Sequence, residues 1–165
     1  MTVIKTADLI ESVADALQFI SYYHPMDYIR ALGKAYDAEA NPAAKDAIAQ
    51  ILTNSRMCAE GHRPICQDTG IVNVFLKWGQ SCRLESDKSL QEVVDEGVRR
   101  AYNHPENKLR ASIVADPAFT RRNTKDNTPC VLNVEMVPGS TVSVDVAAPS
   151  SRSARRACCP SCCGG

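Results

Sequence analysis

The chain has 165 residues, enough to bury the core of one domain, and its 44% apolar and 23% charged residues are typical of a globular protein. Its 19 basic side chains balance its 19 acidic ones, so no overall field would attract nucleic acid or an anionic membrane, and neither is expected as a partner. No apolar run reaches the roughly 18 residues of a membrane span, and the first eleven residues lack a signal-peptide core, so the cytoplasm is the expected compartment.

Three helices are predicted in the first sixty residues. Apolar residues spaced three and four apart predict a first helix with Thr6 as its N-cap, ending before His24-Pro25. A second helix is predicted over residues 25–40. The third is predicted to begin at Asn41-Pro42, a capping residue followed by proline, and to end near Gly61.

Strands dominate the predictions after residue 70. The β-rich run 71–78, ended by Gly79, predicts a largely buried strand. Two alternating runs, 131–137 and 141–147, are joined by Pro138-Gly139-Ser140 and predict a β-hairpin. Between these strands, the capping-box spacing of Ser89 and Glu92 predicts a helix that ends around residue 102. The expected fold class is α+β, with N-terminal helices followed by a mixed sheet.

One stretch concentrates reactive groups: Arg63-Pro64-Ile65-Cys66-Gln67-Asp68-Thr69-Gly70. Its proline and glycine predict a loop at an element boundary. A lone cysteine is usually a small buried hydrophobe, but the amide of Gln67 and the carboxylate of Asp68 beside Cys66 favour a functional site. The spacings from Cys66 to Cys58 and Cys82 match no common zinc or ferredoxin pattern. If Cys66 binds a metal, its partner ligands therefore lie far away in sequence.

Several stretches of the chain resemble one family. The Cys66 stretch resembles the first cluster-ligand motif of the class I, iron-sulfur fumarate hydratases, whose relatives include the L-tartrate dehydratase α-subunits. Leu109-Arg110-Ala111-Ser112 and Asp126-Asn127-Thr128-Pro129 resemble later family motifs, in the same order. The run around Pro138-Gly139-Ser140 resembles the segment leading to the family's glycine-rich substrate loop. The resemblance covers residues 1–148.

This resemblance implies a [4Fe-4S] cluster held by three cysteines, with an open iron that acts as a Lewis acid in the reversible hydration of fumarate to L-malate, a tricarboxylic acid cycle reaction. It implies that Cys66 is the first cluster ligand and that Gln67 and Asp68 contact the substrate, with Asp68 catalytic. It also implies that Arg110 binds a carboxylate of the small dicarboxylate, a task that suits a planar guanidinium. In the full-length family the partner is a second copy, forming a homodimer.

The sequence departs from the family pattern at Pro149. Residues 149–165 are rich in Ser, Arg and Cys and carry no aliphatic residue larger than Ala, so they are predicted to be a disordered tail, out of frame or appended. Residues 1–148 would then be the incomplete N-terminal part of the hydro-lyase domain, with one cluster ligand of three and no activity alone.

Two alternatives to a fumarate hydratase stay open. The first is the α-subunit of a tartrate or mesaconate-type dehydratase built on the same scaffold. The second is a non-enzymatic, thiol-rich protein that binds metal through its C-terminal cysteines, Cys158, Cys159, Cys162 and Cys163.

Overall fold

A computed structural model describes residues 1–66 and 70–148 and the strand at residues 154–158. The elements in chain order are β1 (Thr2–Lys5), α1 (Thr6–Tyr22), α2 (Met26–Ala38), α3 (Pro42–Gly61), β2 (Asn73–Gly79), β3 (Cys82–Glu85), α4 (Leu90–Tyr102), β4 (Val114–Ala115), β5 (Arg122–Asn123), β6 (Val131–Val137), β7 (Val142–Ala147) and β8 (Ala154–Cys158). The predicted α+β class and mixed sheet are confirmed. Among the described helices, none is long and apolar enough to cross a membrane.

The helix caps follow the sequence signals at two of three sites. The Asn41 side chain accepts hydrogen bonds from the N–H groups of Ala43 and Ala44 at the start of α3. The predicted capping box of α4 is complete, because Ser89 and Glu92 each accept a bond from the other's backbone N–H. The prediction for α1 is wrong. Thr6 is its first helical residue, since β1 runs directly into the helix, and the Thr6 hydroxyl donates to the Glu85 carbonyl instead.

The main sheet has the strand order β6-β2-β7-β8, in which β2 pairs parallel with β6 and antiparallel with β7. The predicted hairpin of β6 and β7 is therefore wrong, although both strands exist. The reason is burial: the inward side chains of β2 and β7 make one apolar surface, whereas β6 exposes Val131, Val134 and Met136 at the sheet edge.

The turn between β6 and β7 passes over the carboxyl end of β2. The N–H groups of Gly79, Gln80 and Ser81 donate to the carbonyls of Thr141, Val137 and Gly139, at 2.9, 2.9 and 3.0 Å. The turn between β6 and β7 is therefore hydrogen-bonded to the end of β2, and not across a β6–β7 hairpin. The glycine at residue 79 is required here, because a Cβ would lie 2.7 Å from the Gly139 carbonyl oxygen.

Helices α1 and α4 pack against each other and against the sheet. The fully buried residues of this core include Leu9, Val13 and Leu17 from α1, Val93, Val94 and Val98 from α4, and Val74, Leu76, Val144 and Val146 from the sheet. By contrast, α2 buries no residue and α3 buries only Ser55 and Cys58. These two helices therefore form an arm beside the core, and α3 leads the chain into the Cys66 loop.

Three further strand pairs were not predicted, one of them the short antiparallel pair of β4 and β5. β1 and β3 pair in parallel, with Thr2 facing Cys82, and β8 pairs antiparallel with β7, with Cys158 facing Ser143. β8 lies inside the tail predicted to be disordered, so that prediction does not hold for residues 154–158. The other residues of the tail lie outside the described residues. A strand supplied by backbone hydrogen bonds does not need large apolar side chains, which is why composition missed it.

Candidate functional site

The loop that carries Cys66 is held between α1 and α3. His62 ends α3 in a left-handed conformation, with φ 46°, and its ring stacks on Tyr22 with centroids 4.7 Å apart. Ile65 donates its N–H to the Ser21 carbonyl at 2.8 Å, and its own carbonyl accepts from the Asn54 amide at 3.1 Å. Both helices thus fix the residue immediately before Cys66.

Cys66 is exposed, whereas Cys58, one turn from the end of α3, is buried. The Cys58 thiol lies 3.6 Å from the Pro64 carbonyl and 3.7 Å from the Asn54 side-chain oxygen. Burial raises the pKa of the Cys58 thiol, and the nearby Cys66 raises it further. Cys58 is therefore a protonated structural thiol, and Cys66 is the thiol of this loop that is accessible to a ligand.

An open cavity of about 330 Å³ lies beside the Cys66 loop. Its lining includes Cys66, Ile65, His24 and Tyr28. Burial lowers the pKa of His24, whose Nδ1 lies 3.0 Å from the Ser55 hydroxyl oxygen. Burial therefore disfavours the charged form of the His24 ring, which makes it a poor cation for a carboxylate.

The predicted substrate residues Gln67 and Asp68 lie outside the described residues. The structure resumes at Gly70, whose carbonyl accepts a 3.0 Å hydrogen bond from the side-chain amide of Asn127. Gly70 is therefore the fixed point at the far end of the motif, as Ile65 is at the near end.

Arg110 is exposed on the segment between α4 and β4. Two residues further on, the N–H groups of Ser112 and Ile113 donate to Asn127 Oδ1, at 2.8 and 3.2 Å. The same side chain that holds Gly70 thus holds the segment that carries Arg110. Through Asn127, the structure brings together three of the four stretches that carry the family resemblance.

The sequence interpretation missed the role of Asn127, although it lies within the Asp126-Asn127-Thr128-Pro129 stretch. Asn127 is fully buried and has a positive φ of 60°. Asn is one of the few residues other than glycine that adopts this conformation without large cost. The feature that distinguishes Asn127 is its burial within a loop, and the sequence alone does not reveal burial.

A charged contact anchors this loop to α4. Asp126 forms an ion pair with Arg99, with 2.9 Å between Arg99 Nε and Asp126 Oδ2. Burial opposes ionisation of Asp126, but hydrogen bonds from Thr128 and from Arg99 outweigh it and hold the pKa of Asp126 below its ordinary value. Arg99 is itself exposed, so this ion pair lies at the surface of α4.

The thiol donors present do not by themselves form a cluster site. In the part of the chain that the structure describes, no group of three or more His, Cys, Asp or Glu side chains is arranged to hold a metal ion. Cys130 is buried, and burial together with the nearby Asp95 carboxylate raises the pKa of its thiol to about 12. Cys66 is the exposed cysteine among the described residues of this site.

Comparison with known proteins fits this arrangement. The profile of the fumarate hydratase (Fumerase) family matches residues 10–158. The chain belongs to this family. The family match runs through β8, past Pro149, where the sequence interpretation placed the departure from the family pattern.

Similar proteins include L(+)-tartrate dehydratase α-subunits. A Methanocaldococcus jannaschii protein, provisionally named as such a subunit, is 33% identical over 115 residues, which are 70% of this chain and 39% of that protein. The α-subunits of Escherichia coli K12 and of Shigella boydii serotype 4 are each 29% identical over 123 residues, 74% of this chain and 40% of theirs. The chain spans about two fifths of the length of these relatives.

Proposed function

We propose that this fumarate hydratase family chain contributes the first part of a hydro-lyase site that adds water to, or removes it from, a small dicarboxylate. The observation that supports this most directly is the convergence on Asn127. An exposed thiol at Cys66 and an exposed guanidinium at Arg110 lie on two segments that the same buried side chain holds. A soft ligand for iron and a planar cation for a carboxylate are the two donor types that such a reaction needs.

In this proposal Cys66 is one thiolate ligand of a [4Fe-4S] cluster, and the other ligands come from polypeptide beyond the described residues. A bound cluster with an open iron would supply Lewis acidity toward the substrate oxygens. Arg110 binds a substrate carboxylate and fixes its orientation. Gln67 and Asp68 are assigned to the substrate by the motif, with Asp68 as the catalytic group, and homodimer assembly is also part of the proposal.

Two substrate pairs deserve direct comparison. The family description names fumarate hydratase, which favours the fumarate and L-malate pair of the tricarboxylic acid cycle, whereas the relatives' names favour L(+)-tartrate. Both substrates are four-carbon dicarboxylates, so both suit Arg110. Anaerobic assays with L-malate, fumarate, L-tartrate and mesaconate on the enzyme in its native assembly distinguish them.

The first test concerns Cys66. We expect Cys66→Ser, in the anaerobically purified native assembly, to abolish hydro-lyase activity and to lower the iron and sulfide content, because serine is a poor ligand for cluster iron. Cys82→Ser is the matched control, since Cys82 lies on β3, outside the candidate site, and we expect it to retain both activity and iron.

A Cys66→Ser protein with full iron content and activity would contradict this assignment. Deletion of residues 149–165 distinguishes the hydro-lyase from the alternative of a thiol-rich metal-binding protein. If metal binding is lost with that deletion and unaffected by Cys66→Ser, the chain is a thiol-rich metal-binding protein that uses its C-terminal cysteines.

The second test concerns Arg110. We expect Arg110→Lys to raise KM for the dicarboxylate about 10- to 100-fold with a smaller change in kcat, because lysine keeps the charge but loses the two-pronged hydrogen bond. Steady-state kinetics measure this directly. Arg100→Lys is the control, because Arg100 is exposed on α4 and pairs with Glu96 of the same helix. Equal KM values for the two variants would exclude Arg110 from substrate binding.

A further inference from the structure

We propose that Asn127 is a positioning residue that joins the Cys66 loop to the Arg110 segment and sets how the two face each other. Its functional consequence rests on the function proposed above, whereas the structural role can be tested without any activity. Three features of Asn127 support this role: its hydrogen bonds, its burial and its neighbours' contacts with α4.

The bonds use both halves of the Asn127 amide. Oδ1 accepts from the N–H groups of Ser112 and Ile113, and Nδ2 donates to the carbonyl of Gly70. The two acceptor bonds fix the Arg110 segment, and the donor bond fixes the end of the Cys66 loop. No other side-chain type of this size both accepts and donates from adjacent atoms in this way, since Asp lacks the donor and Leu lacks both.

Burial makes these bonds costly to lose. Asn127 has 0% of its surface exposed, so water cannot replace a missing partner at its side-chain atoms. A buried polar group without a hydrogen bond is strongly disfavoured. The two segments are therefore held to Asn127 together, and displacement of either one leaves a polar group unsatisfied.

The anchorage keeps Asn127 itself in place. On one side Asp126 pairs with Arg99 of α4. On the other, Cys130 donates its N–H to Asp95 at 2.8 Å and its carbonyl accepts from Gln91 at 3.2 Å, both residues also of α4. Because α4 packs in the core, these contacts tie Asn127 to the core.

The test uses two substitutions that tolerate the positive φ of residue 127. In the ionised form of Asn127→Asp, which the carboxyl carbon shift of residue 127 identifies, the acceptor is kept and the donor is lost, so the Ser112 and Ile113 bonds persist and the Gly70 bond is lost. Asn127→Gly keeps the backbone conformation and loses all three bonds. Asn123→Asp is the matched control. The exposed Asn123 likewise donates to a backbone carbonyl, that of Ala111, and accepts from the Lys125 N–H, so this change removes one other bond to the Arg110 segment and leaves the Asn127 bonds in place.

Nuclear magnetic resonance of the full chain gives the readouts. In Asn127→Gly we expect amide exchange at Ser112 and Ile113 to accelerate at least about tenfold beyond the change measured for core amides of α4. In Asn127→Asp we expect those two amides to stay protected, while the Gly70 carbonyl carbon shift moves to the value of an unbonded carbonyl. The control leaves the Gly70 signal unchanged and speeds exchange at Ser112 and Ile113 less than Asn127→Gly does. Selective rescue of one segment by Asp is a result that general destabilisation would not produce.

The outcomes separate this inference from the proposed function. If Ser112 and Ile113 exchange no faster in Asn127→Gly than in Asn123→Asp, or if the Gly70 shift is the same in wild type and Asn127→Asp, the positioning role is overturned. If Asn127→Gly does not fold, the Gly70 shift in Asn127→Asp decides. In an active native assembly we expect Asn127→Asp to lower kcat/KM at least about tenfold relative to Asn123→Asp. Absence of any hydro-lyase activity in wild type would refute the proposed function and leave the magnetic resonance result standing.

Discussion

Gly97→Ala is expected to lower the free energy of unfolding by about 1–2 kcal/mol. Gly97 lies where α4 packs on α1, and an added Cβ would stand 2.8 Å from Val13 Cβ and 2.9 Å from the Ile10 carbonyl oxygen. Neither atom is the end of a flexible side chain, so the two helices must move apart to admit the methyl group. The helix propensity of alanine, worth about 1 kcal/mol, offsets only part of that cost. Urea unfolding followed by circular dichroism measures the difference.

Gly33→Ala provides the matched control for Gly97→Ala. Gly33 also lies in a helix interior, in α2, but a Cβ there would meet nothing within 4 Å. We expect this change to stabilise the protein by about 0.5–1 kcal/mol, through propensity alone. If both variants were stabilised equally, the close approach of α1 and α4 described here would be wrong.

Gly79→Ala is expected to cost about 2–3 kcal/mol, because the added Cβ would meet only backbone atoms. It would lie 2.7 Å from the Gly139 oxygen and 2.8 Å from the Thr141 oxygen, and the latter also accepts the Gly79 N–H. Relief of this clash requires the turn to lift off the end of β2. The single tryptophan, Trp78, is buried beside this point, so its fluorescence reports unfolding of this region directly.

Gly61→Ala is the control for Gly79→Ala. Its Cβ would lie 3.6 Å from Arg63 Cγ, an ordinary contact at the exposed end of α3, and we expect a change within about 0.5 kcal/mol. A Gly79→Ala protein as stable as Gly61→Ala would show that the turn does not lie over β2, and the strand order would need revision.

The sequence predicted helix starts well where the stabilising hydrogen bonds lie within a few residues of each other. Asn41-Pro42 and the Ser89 capping box predicted two helix starts because caps form bonds within their own first turn. The order of the strands was not predictable in that way. Pro138-Gly139-Ser140 is a good turn sequence, but whether β6 and β7 then pair depends on which strand the core buries most, a property of the whole sheet.

The sequence allowed prediction of the candidate ligands Cys66 and Arg110, but not of Asn127, which joins their segments. Cys66 and Arg110 were singled out by motif, and the structure places both on the surface. No role could be predicted for Asn127, because its hydrogen bonds join it to residues 57 and 15 positions away in sequence. Spacing along one element cannot reveal a side chain that joins three loops.

The position of β2 between β6 and β7 also governs when the sheet can form. Asn73 faces Val131 on one side and Ala147 on the other, so neither neighbour of β2 is close to it in sequence. Closing such long loops costs entropy before any strand bond is made, and chains dominated by distant contacts fold slowly. During synthesis β2 emerges early, and its two edges stay open until residues 137 and 147, respectively, have been added. The central sheet is therefore a late product of translation, and during that interval its middle strand is the segment most exposed to pairing with another chain.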